Sequence, residues 1–93
     1  KYYETILFIT LRLLGLQLEA EVSTNRGRVD AVLKTPSKIF IIEFKLHGTA
    51  EEALEQIRMK GYPEAWHNDG REIVSVGVAF DPVTRNIGEW VTG

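Results

Sequence analysis

The clearest pattern along the chain is a pair of apolar runs separated by the polar stretch Thr-Pro-Ser-Lys at residues 35–38. Such a stretch between two alternating or apolar runs predicts a turn, so residues 28–46 are expected to form a β-hairpin. The second run begins with Ile-Phe-Ile-Ile at residues 39–42, which is apolar on both faces of a strand. This pattern is typical of a central strand that is covered on both sides.

Other segments complete the predicted set of elements. Thr49 followed by Glu52 forms the capping-box pattern at the start of a helix, which Gly61 and Pro63 end or kink. The apolar stretch at residues 2–14 ends at Gly15 and predicts an N-terminal helix. The remaining apolar segments predict strands at residues 18–23, 73–80 and 87–91, next to turns at 24–27, 68–70 and 81–82.

The order of these elements defines a fold class. A helix that connects the strand at 38–46 to the strand at 73–80 should make those two strands parallel, with a right-handed crossover. The hairpin strands are antiparallel by construction. We therefore expect an α/β fold with a mixed central sheet flanked by helices, in the order α-β-β-β-α-β-β.

The hairpin also predicts which charged residues meet. If residues 35–38 form the turn, Lys34 pairs with Ile39 and Asp30 falls opposite Glu43, with Cβ atoms roughly 5 Å apart. Lys45 lies two residues after Glu43 and projects from the same face of the sheet. The sequence thus predicts that two carboxylates and an ammonium converge on one patch.

This patch has a plausible chemistry. Neighbouring carboxylates that are half buried must share a proton or hold a cation, and Mg²⁺ is commonly bound by one or two carboxylates, waters and phosphate oxygens. The adjacent lysine could orient a water or stabilise the charge that develops at phosphorus. A metal-dependent phosphodiesterase uses groups of these kinds.

Composition limits the alternatives. The chain has 93 residues, of which 44% are hydrophobic and 26% charged, as expected for one small globular domain. The absence of cysteine excludes disulfides, zinc-thiolate sites and cysteine nucleophiles, and it fits a cytoplasmic protein. A net charge of −2 argues against a strong sequence-independent hold on nucleic acid. Any DNA contact should therefore be local, assisted by metal, or supported by another domain.

The pattern D-x12-E-x-K resembles the PD-(D/E)XK nuclease superfamily, whose members have a restriction-endonuclease-like fold. Further similarity lies in T-N-R-G-R-V-D at residues 24–30, A-L-E-Q-I at 53–57, K-G-Y at 60–62 and T-R-N-I-G-E-W at 84–90. Together these motifs resemble the domain found C-terminal to an AAA-ATPase-like domain in bacterial and archaeal proteins. The likeness covers essentially the whole chain.

The resemblance implies a magnesium- or manganese-dependent nuclease acting on DNA. Asp30 and Glu43 match the metal-binding residues and Lys45 matches the lysine of the catalytic motif. Gln56 matches a glutamine that the crossover helix supplies to the edge of the site, and Tyr62 matches the tyrosine that follows it. Glu4 is a marginal candidate, because the first helix of some relatives contributes an acidic ligand.

Each candidate also has a simpler interpretation. Asp30 could be a solvated residue in a strand, and Lys45 could form only a salt bridge to Glu43 or Asp30. Glu43 is harder to explain in this way, since it follows four apolar residues where an unpaired charge is costly. On the same register Arg28 faces the like charge of Lys45. Glu43 could neutralise Arg28, or Arg28 could contact a phosphate. Arg26 is a second candidate for a phosphate contact.

The predicted N-terminal helix has apolar residues on more than one stripe. Residues 2–14 could be buried in the domain's own core, or part of their surface could meet an N-terminal ATPase-like domain or a second copy in a homodimer. A chain that begins with Lys1 on this helix suggests the C-terminal domain of a longer protein. The alternative to a nuclease is a catalytically silent interaction module, and no segment is long and apolar enough to indicate a membrane partner.

The isolated histidines and tryptophans give weaker signals. His47 and His67 have no partners that suggest a zinc site, and loop histidines of this kind are usually exposed. Trp66 and Trp90 are expected to be packing residues.

Overall fold

The computed structural model describes residues 17–81, 83 and 86–93, with the side chains of residues 86 and 87 excepted. Five strands form one sheet in the order β1-β2-β3-β4-β5. Their bounds are Gln17–Thr24 for β1, Gly27–Lys34 for β2, Lys38–Lys45 for β3, Glu72–Asp81 for β4 and Asn86–Thr92 for β5. The helix α1, Ala50–Lys60, and a short 3-10 helix, Tyr62–Trp66, lie between β3 and β4.

The sheet is mixed, as predicted. β3 and β4 are parallel, whereas the other neighbouring pairs are antiparallel. The predicted hairpin register is confirmed by the pairs Lys34↔Ile39 and Val32↔Ile41. The Thr35 amide donates to the Lys38 carbonyl at 2.8 Å and the Lys38 amide donates to the Thr35 hydroxyl at 2.9 Å, so the turn is closed by its own first and last residues.

Helix α1 begins and ends where the sequence predicts. The Thr49 hydroxyl accepts from the Glu52 amide at 3.0 Å, and the Glu52 carboxylate accepts from the Thr49 amide at 2.8 Å, which completes the capping box. Gly61 adopts a left-handed conformation with φ 70° and its amide bonds back to the last turn. The short 3-10 helix follows at once.

Apolar residues cover both faces of the sheet. The face that carries α1 holds a buried cluster of Val29, Val32, Ile39, Ile41, Ile57 and Tyr62. The opposite face holds a second cluster of Leu18, Ala31, Ile42 and Val78, with the stacked rings of Phe44 and Phe80 nearby. Because β2 and β3 are covered on both faces, their sequences are apolar at consecutive positions rather than at alternate ones.

Helix α1 lies unusually close to β4 at Gly77. A Cβ on this residue would overlap the Ala50 carbonyl oxygen and lie 2.7 Å from the Leu54 amide nitrogen. The Ala50 amide, at the start of α1, donates to the Glu89 carboxylate of β5 at 3.0 Å. Contacts with two neighbouring strands therefore hold the N-terminal half of α1 against the sheet.

The helix predicted at residues 2–14 lies outside the described residues, as does Glu4. The complete order α-β-β-β-α-β-β and the presence of helices on both sides of the sheet therefore stay predictions. No helix within the described ranges is long and apolar enough to cross a membrane.

Candidate metal and phosphate site

Asp30 occupies a gap in the pairing of β2. The β1–β2 pairs include Ala20↔Ala31 and Val22↔Val29 but skip Asp30, and the β2–β3 pairs end at Ala31↔Ile42. Glu21, the residue of β1 beside this gap, has a positive φ of 51°. The regular hydrogen-bond ladder is thus interrupted on both sides of Asp30.

Side chains replace the missing backbone partners at this gap. The Asp30 amide donates to Glu43 Oε1 at 3.3 Å, and the Phe44 amide donates to Asp30 Oδ2 at 3.0 Å. The register of the last regular pair, Ala31↔Ile42, continues to Asp30 opposite Glu43, but side-chain bonds take the place of the backbone pair there. Asp30 and Glu43 are nonetheless brought together, because each carboxylate accepts a bond from the other strand's backbone.

Glu43 is the buried member of the pair. Its side chain is on the α1 face of β3 and the residue is only 4% exposed. The pKa of Glu43 is raised from 4.5 to about 8, first by burial and then by the charge and side-chain hydrogen bonding of Asp30, while the charge of Lys45 opposes the shift. A carboxyl group in this environment either keeps its proton at neutral pH or exchanges it for a cation.

Lys45 lies two residues beyond Glu43 on the same face of β3. It lines a groove of about 350 Å³ together with Gln56, Lys60 and three other residues of α1, Glu52, Glu55 and Met59. The ion pairs found among the described residues involve other cations, and none joins Lys45 to a carboxylate within 4.0 Å. The ammonium is therefore beside the carboxylates without being engaged in a close salt bridge.

Gln56 approaches the pair from the helix above the sheet. Its Nε2 lies 3.5 Å from Glu43 Oε2, at the limit of a hydrogen bond. Gly77, which lets α1 approach β4, is the direct parallel neighbour of Glu43 on β3. Gly77 is a residue that the sequence analysis missed, although a glycine inside an apolar strand often marks a close backbone approach.

Tyr62 connects the 3-10 helix to β2. It is 3% exposed, and its hydroxyl donates to the Arg28 carbonyl at 3.1 Å. Burial raises the pKa of the Tyr62 phenol, and the nearby charges of Glu43 and Asp30 add to this effect. The phenol is thus a neutral neighbour of the carboxylates, and its donated bond fixes the backbone two residues before Asp30.

The two arginines have different surroundings. Arg28 pairs with Ser23 of β1, and its Nη1 lies 3.6 Å from Glu21 Oε1. The regular β2–β3 pairs end at Ala31, so the expected Arg28–Lys45 pair is not among them, and Glu21 of β1 supplies the charge beside Arg28. Arg26 lies in the β1–β2 turn, where its guanidinium is next to Gly61 at the end of α1.

The donor set fits a hard divalent cation. Two carboxylates supply oxygen ligands, and a Mg²⁺ ion usually completes its shell with waters and substrate oxygens. No group of three or more acidic, histidine or cysteine side chains suited to a metal is found among the described residues. The histidines take no part: His47 and His67 are both exposed.

This chain also matches a known family. A family model of the PD-(D/E)XK nuclease superfamily matches residues 1–90. The match includes the whole hairpin that carries Asp30, Glu43 and Lys45. The chain therefore belongs to the PD-(D/E)XK nuclease superfamily. Nucleases of this superfamily generally use divalent metals.

The chain is also similar to a particular protein. The chain is 30% identical over 88 residues to an uncharacterized protein in the vnfD 5′ region of Azotobacter chroococcum mcd 1. The aligned part covers 92% of this chain but spans only 17% of the relative. No solved structure shows a significant match to the chain.

Proposed function

We propose that the protein is a divalent-metal-dependent nuclease that hydrolyses DNA phosphodiester bonds. The observation that carries this proposal is the arrangement of Asp30 and Glu43, which hydrogen bonds to the opposing backbone hold side by side in a gap of the sheet. A carboxylate buried like Glu43 costs free energy unless a proton or a cation neutralises it. Lys45 on the same face places a positive charge where a phosphate would lie.

Asp30 and Glu43 would hold Mg²⁺ or Mn²⁺. When bound, the cation supplies a Lewis acid that polarises the phosphodiester and makes an attacking water more acidic. Glu43 gives up its proton on cation binding, since carboxylate ligands must be ionised. Lys45 orients the attacking water or stabilises the negative charge that develops on the phosphate oxygens. Gln56 positions the Glu43 carboxylate through its 3.5 Å contact.

Substrate contacts are assigned to the β1–β2 turn and its surroundings. Arg26, which has no carboxylate partner among the described ion pairs, contacts a phosphate next to the one that is cleaved. Arg28 is neutralised in part by Glu21 and makes a weaker contact of the same kind. Tyr62 acts at the edge of the site by holding the backbone of Arg28.

The proposal includes partners outside the described residues. An ATPase-like domain in the same polypeptide would supply much of the hold on DNA that a domain with net charge −2 lacks. Residues 2–14 would contact that domain or mediate a homodimer, and the protein would act in the cytoplasm. The small share of the curated relative that the chain spans is compatible with a multidomain arrangement.

A cleavage assay tests the nuclease proposal. The purified protein is incubated at low salt with plasmid or linear DNA and with Mg²⁺, Mn²⁺ or EDTA. We expect cleavage with either metal, no cleavage with EDTA, and loss of cleavage in Glu43→Gln and in Lys45→Ala. Glu72→Gln is the matched control, because Glu72 is an exposed carboxylate that contacts Lys38 at the other end of the sheet.

Measurements of metal and DNA binding could contradict the nuclease proposal. If calorimetry detects no binding of Mg²⁺ or Mn²⁺ and the wild-type protein binds no DNA at low salt, the nuclease proposal is wrong. A folded protein that lacks cleavage but forms a stable dimer, disrupted by a charge at Leu7 or Leu11, would instead support the silent interaction module.

A further inference from the structure

A second recess lies between the β1–β2 turn and the 3-10 helix. This turn cleft has a volume of about 610 Å³ and is lined by nine residues: Val22, Ser23, Thr24, Asn25, Arg26, Glu64, Ala65, Trp66 and His67. From the proposed nuclease function and the groups in this cleft, we propose that it binds one unpaired nucleotide of the DNA strand, adjacent to the bond that is cleaved.

The position of the cleft supports this inference. Arg26 is four residues before Asp30, which limits the separation of their Cα atoms to about 14 Å even in an extended chain. Tyr62 connects the two sites, with its hydroxyl bonded to Arg28 and its phenol close enough to Asp30 and Glu43 for their charges to raise its pKa. The cleft is therefore within reach of a strand that has one phosphate at the carboxylates.

Both walls of the cleft are held in place. On one side, the Thr24 hydroxyl accepts from the Arg26 amide at 3.0 Å and donates to the Gly27 carbonyl at 2.8 Å. On the other side, the His67 amide donates to the Glu64 carbonyl at 3.3 Å, and Tyr62 attaches the 3-10 helix to β2. A recess with such walls keeps its shape before a ligand arrives, which lowers the cost of binding.

The groups in the cleft match the parts of a nucleotide. The Arg26 guanidinium can bind a phosphate, and the Trp66 indole, which is half buried against the core cluster, offers aromatic surface to a base. The Asn25 amide can donate to and accept from the edge of a base. Glu64 on the opposite wall repels a phosphate, so it favours the orientation with the phosphate at Arg26 and the base toward Trp66.

The charge of the protein favours an unpaired nucleotide over duplex DNA. Binding to a duplex backbone relies on many Lys and Arg contacts, whereas this chain carries a net charge of −2. Stacking on an aromatic side chain contributes about 1–3 kcal/mol per base and needs little positive charge. A paired base has its faces covered by its neighbours, so only a frayed end, a flap or a single strand can place a base in the cleft.

Fluorescence of Trp66 tests this inference. Trp90→Phe removes an exposed tryptophan and leaves Trp66 as the one remaining indole of the two in the sequence. This protein is titrated in EDTA with a short single-stranded deoxyoligonucleotide, the duplex of the same sequence, and the corresponding ribo-oligonucleotide. We expect quenching by the single strand with an affinity at least ten-fold greater than for the duplex. The ribo arm distinguishes a deoxyribose-specific site from one that takes either sugar.

Variants in the same background test the phosphate contact. Arg26→Gln should weaken single-strand binding about ten-fold, which is the effect of about 1.4 kcal/mol. Lys38→Gln is the control, because it removes the same charge at the other end of the sheet, where Lys38 contacts Glu72. The inference is wrong if Trp66 does not respond to the single strand, if the duplex binds as tightly, or if both variants have the same effect.

This outcome is separable from that of the nuclease proposal. Metal-dependent cleavage with no Trp66 response, and with an unchanged KM in Arg26→Gln, would remove the cleft from substrate binding and leave the nuclease intact. Trp66 quenching by single strands without any cleavage would support the cleft as a nucleotide site and contradict the catalytic assignment.

Discussion

The Asp30 amide donates a hydrogen bond to Glu43 Oε1 across 3.3 Å, and this bond joins β2 to β3 beyond the last regular pair of their ladder. The interaction uses the carboxylate that is 4% exposed and has a pKa raised to about 8. The Glu43 side chain thus makes a structural hydrogen bond and is also a candidate metal ligand.

Metal-free protein should lose stability as pH rises from about 4.5 to about 8. Glu43 has a higher pKa in the folded state than in the unfolded state, so its contribution is largest below pH 4.5 and is lost as pH rises through the folded value. Urea denaturation in EDTA at several pH values should show this decline. In Glu43→Gln, which mimics the protonated form, the decline should be absent, and this variant should be more stable than wild type at pH 8. An equal slope in both proteins would contradict the assignment.

Divalent metal should bind more tightly as pH rises toward 8. A cation competes with the proton on Glu43, so below that pKa the apparent affinity should rise up to about ten-fold per pH unit. Calorimetry of Mn²⁺ binding in buffers with different ionisation enthalpies should detect close to one proton released per ion at pH 7. A pH-independent affinity would show that Glu43 is not a ligand.

Lys45→Met should lower kcat by at least about 100-fold, which is typical of losing one group that stabilises charge in a transition state. The Lys45 charge lowers the pKa of Glu43 and repels a divalent cation more strongly than a proton, so its removal should not weaken metal binding at neutral pH. Single-turnover cleavage at saturating metal separates catalysis from metal binding. Lys60→Met is the control, since Lys60 lines the same groove from α1. Equal losses in both variants would assign the effect to general electrostatics.

Gly77→Ala should destabilise the protein by about 1–3 kcal/mol, because a methyl group at this position overlaps the backbone of α1. The helix should move away from β4 and carry Gln56 away from Glu43. Thermal unfolding should show a lower Tm, by about 4–8 °C for each kcal/mol in a domain of this size. Gly88→Ala is the matched control on β5, where the nearest atom to an added Cβ is at an ordinary 3.5 Å. A silent Gly77→Ala would contradict the close approach.

Tyr62→Phe should cost about 1 kcal/mol, because the Arg28 carbonyl loses its partner in a largely buried position. The loss should loosen the β1–β2 turn, since the Tyr62 ring also lies against Gly27 in that turn. Hydrogen exchange should therefore accelerate at the amides of residues 26–28 and remain unchanged at the turn at residues 35–38. Unchanged exchange at both turns would show that the phenol does not restrain the backbone.

The hairpin could be predicted from the sequence because its determinants are local. Thr35 and Lys38 close the turn themselves, and the alternation on each side then sets the pairs Lys34↔Ile39 and Val32↔Ile41. The convergence of Asp30 and Glu43 is a direct extension of that register. The capping box of α1 is local for the same reason, since it involves only Thr49 and Glu52.

The parts that could not be predicted depend on a third strand or on α1. The gap at Asp30 coincides with the positive φ of Glu21, a backbone feature of β1 that no residue preference indicates. The same strand supplies the carboxylate that contacts Arg28, so pairing β2 with β3 alone did not predict this neighbour. The close approach of α1 at Gly77 depends on packing between elements far apart in the sequence.

At the gap in β2, Asp30 Oδ2 accepts the Phe44 amide, so the oxygen atoms offered to an ion also help to keep two strands together. Chelation and strand pairing thus depend on the same two carboxylates. An ion that shifts these carboxylates as it binds would also shift the two strands. The strand pairing would in turn limit the distance between the ligand oxygen atoms.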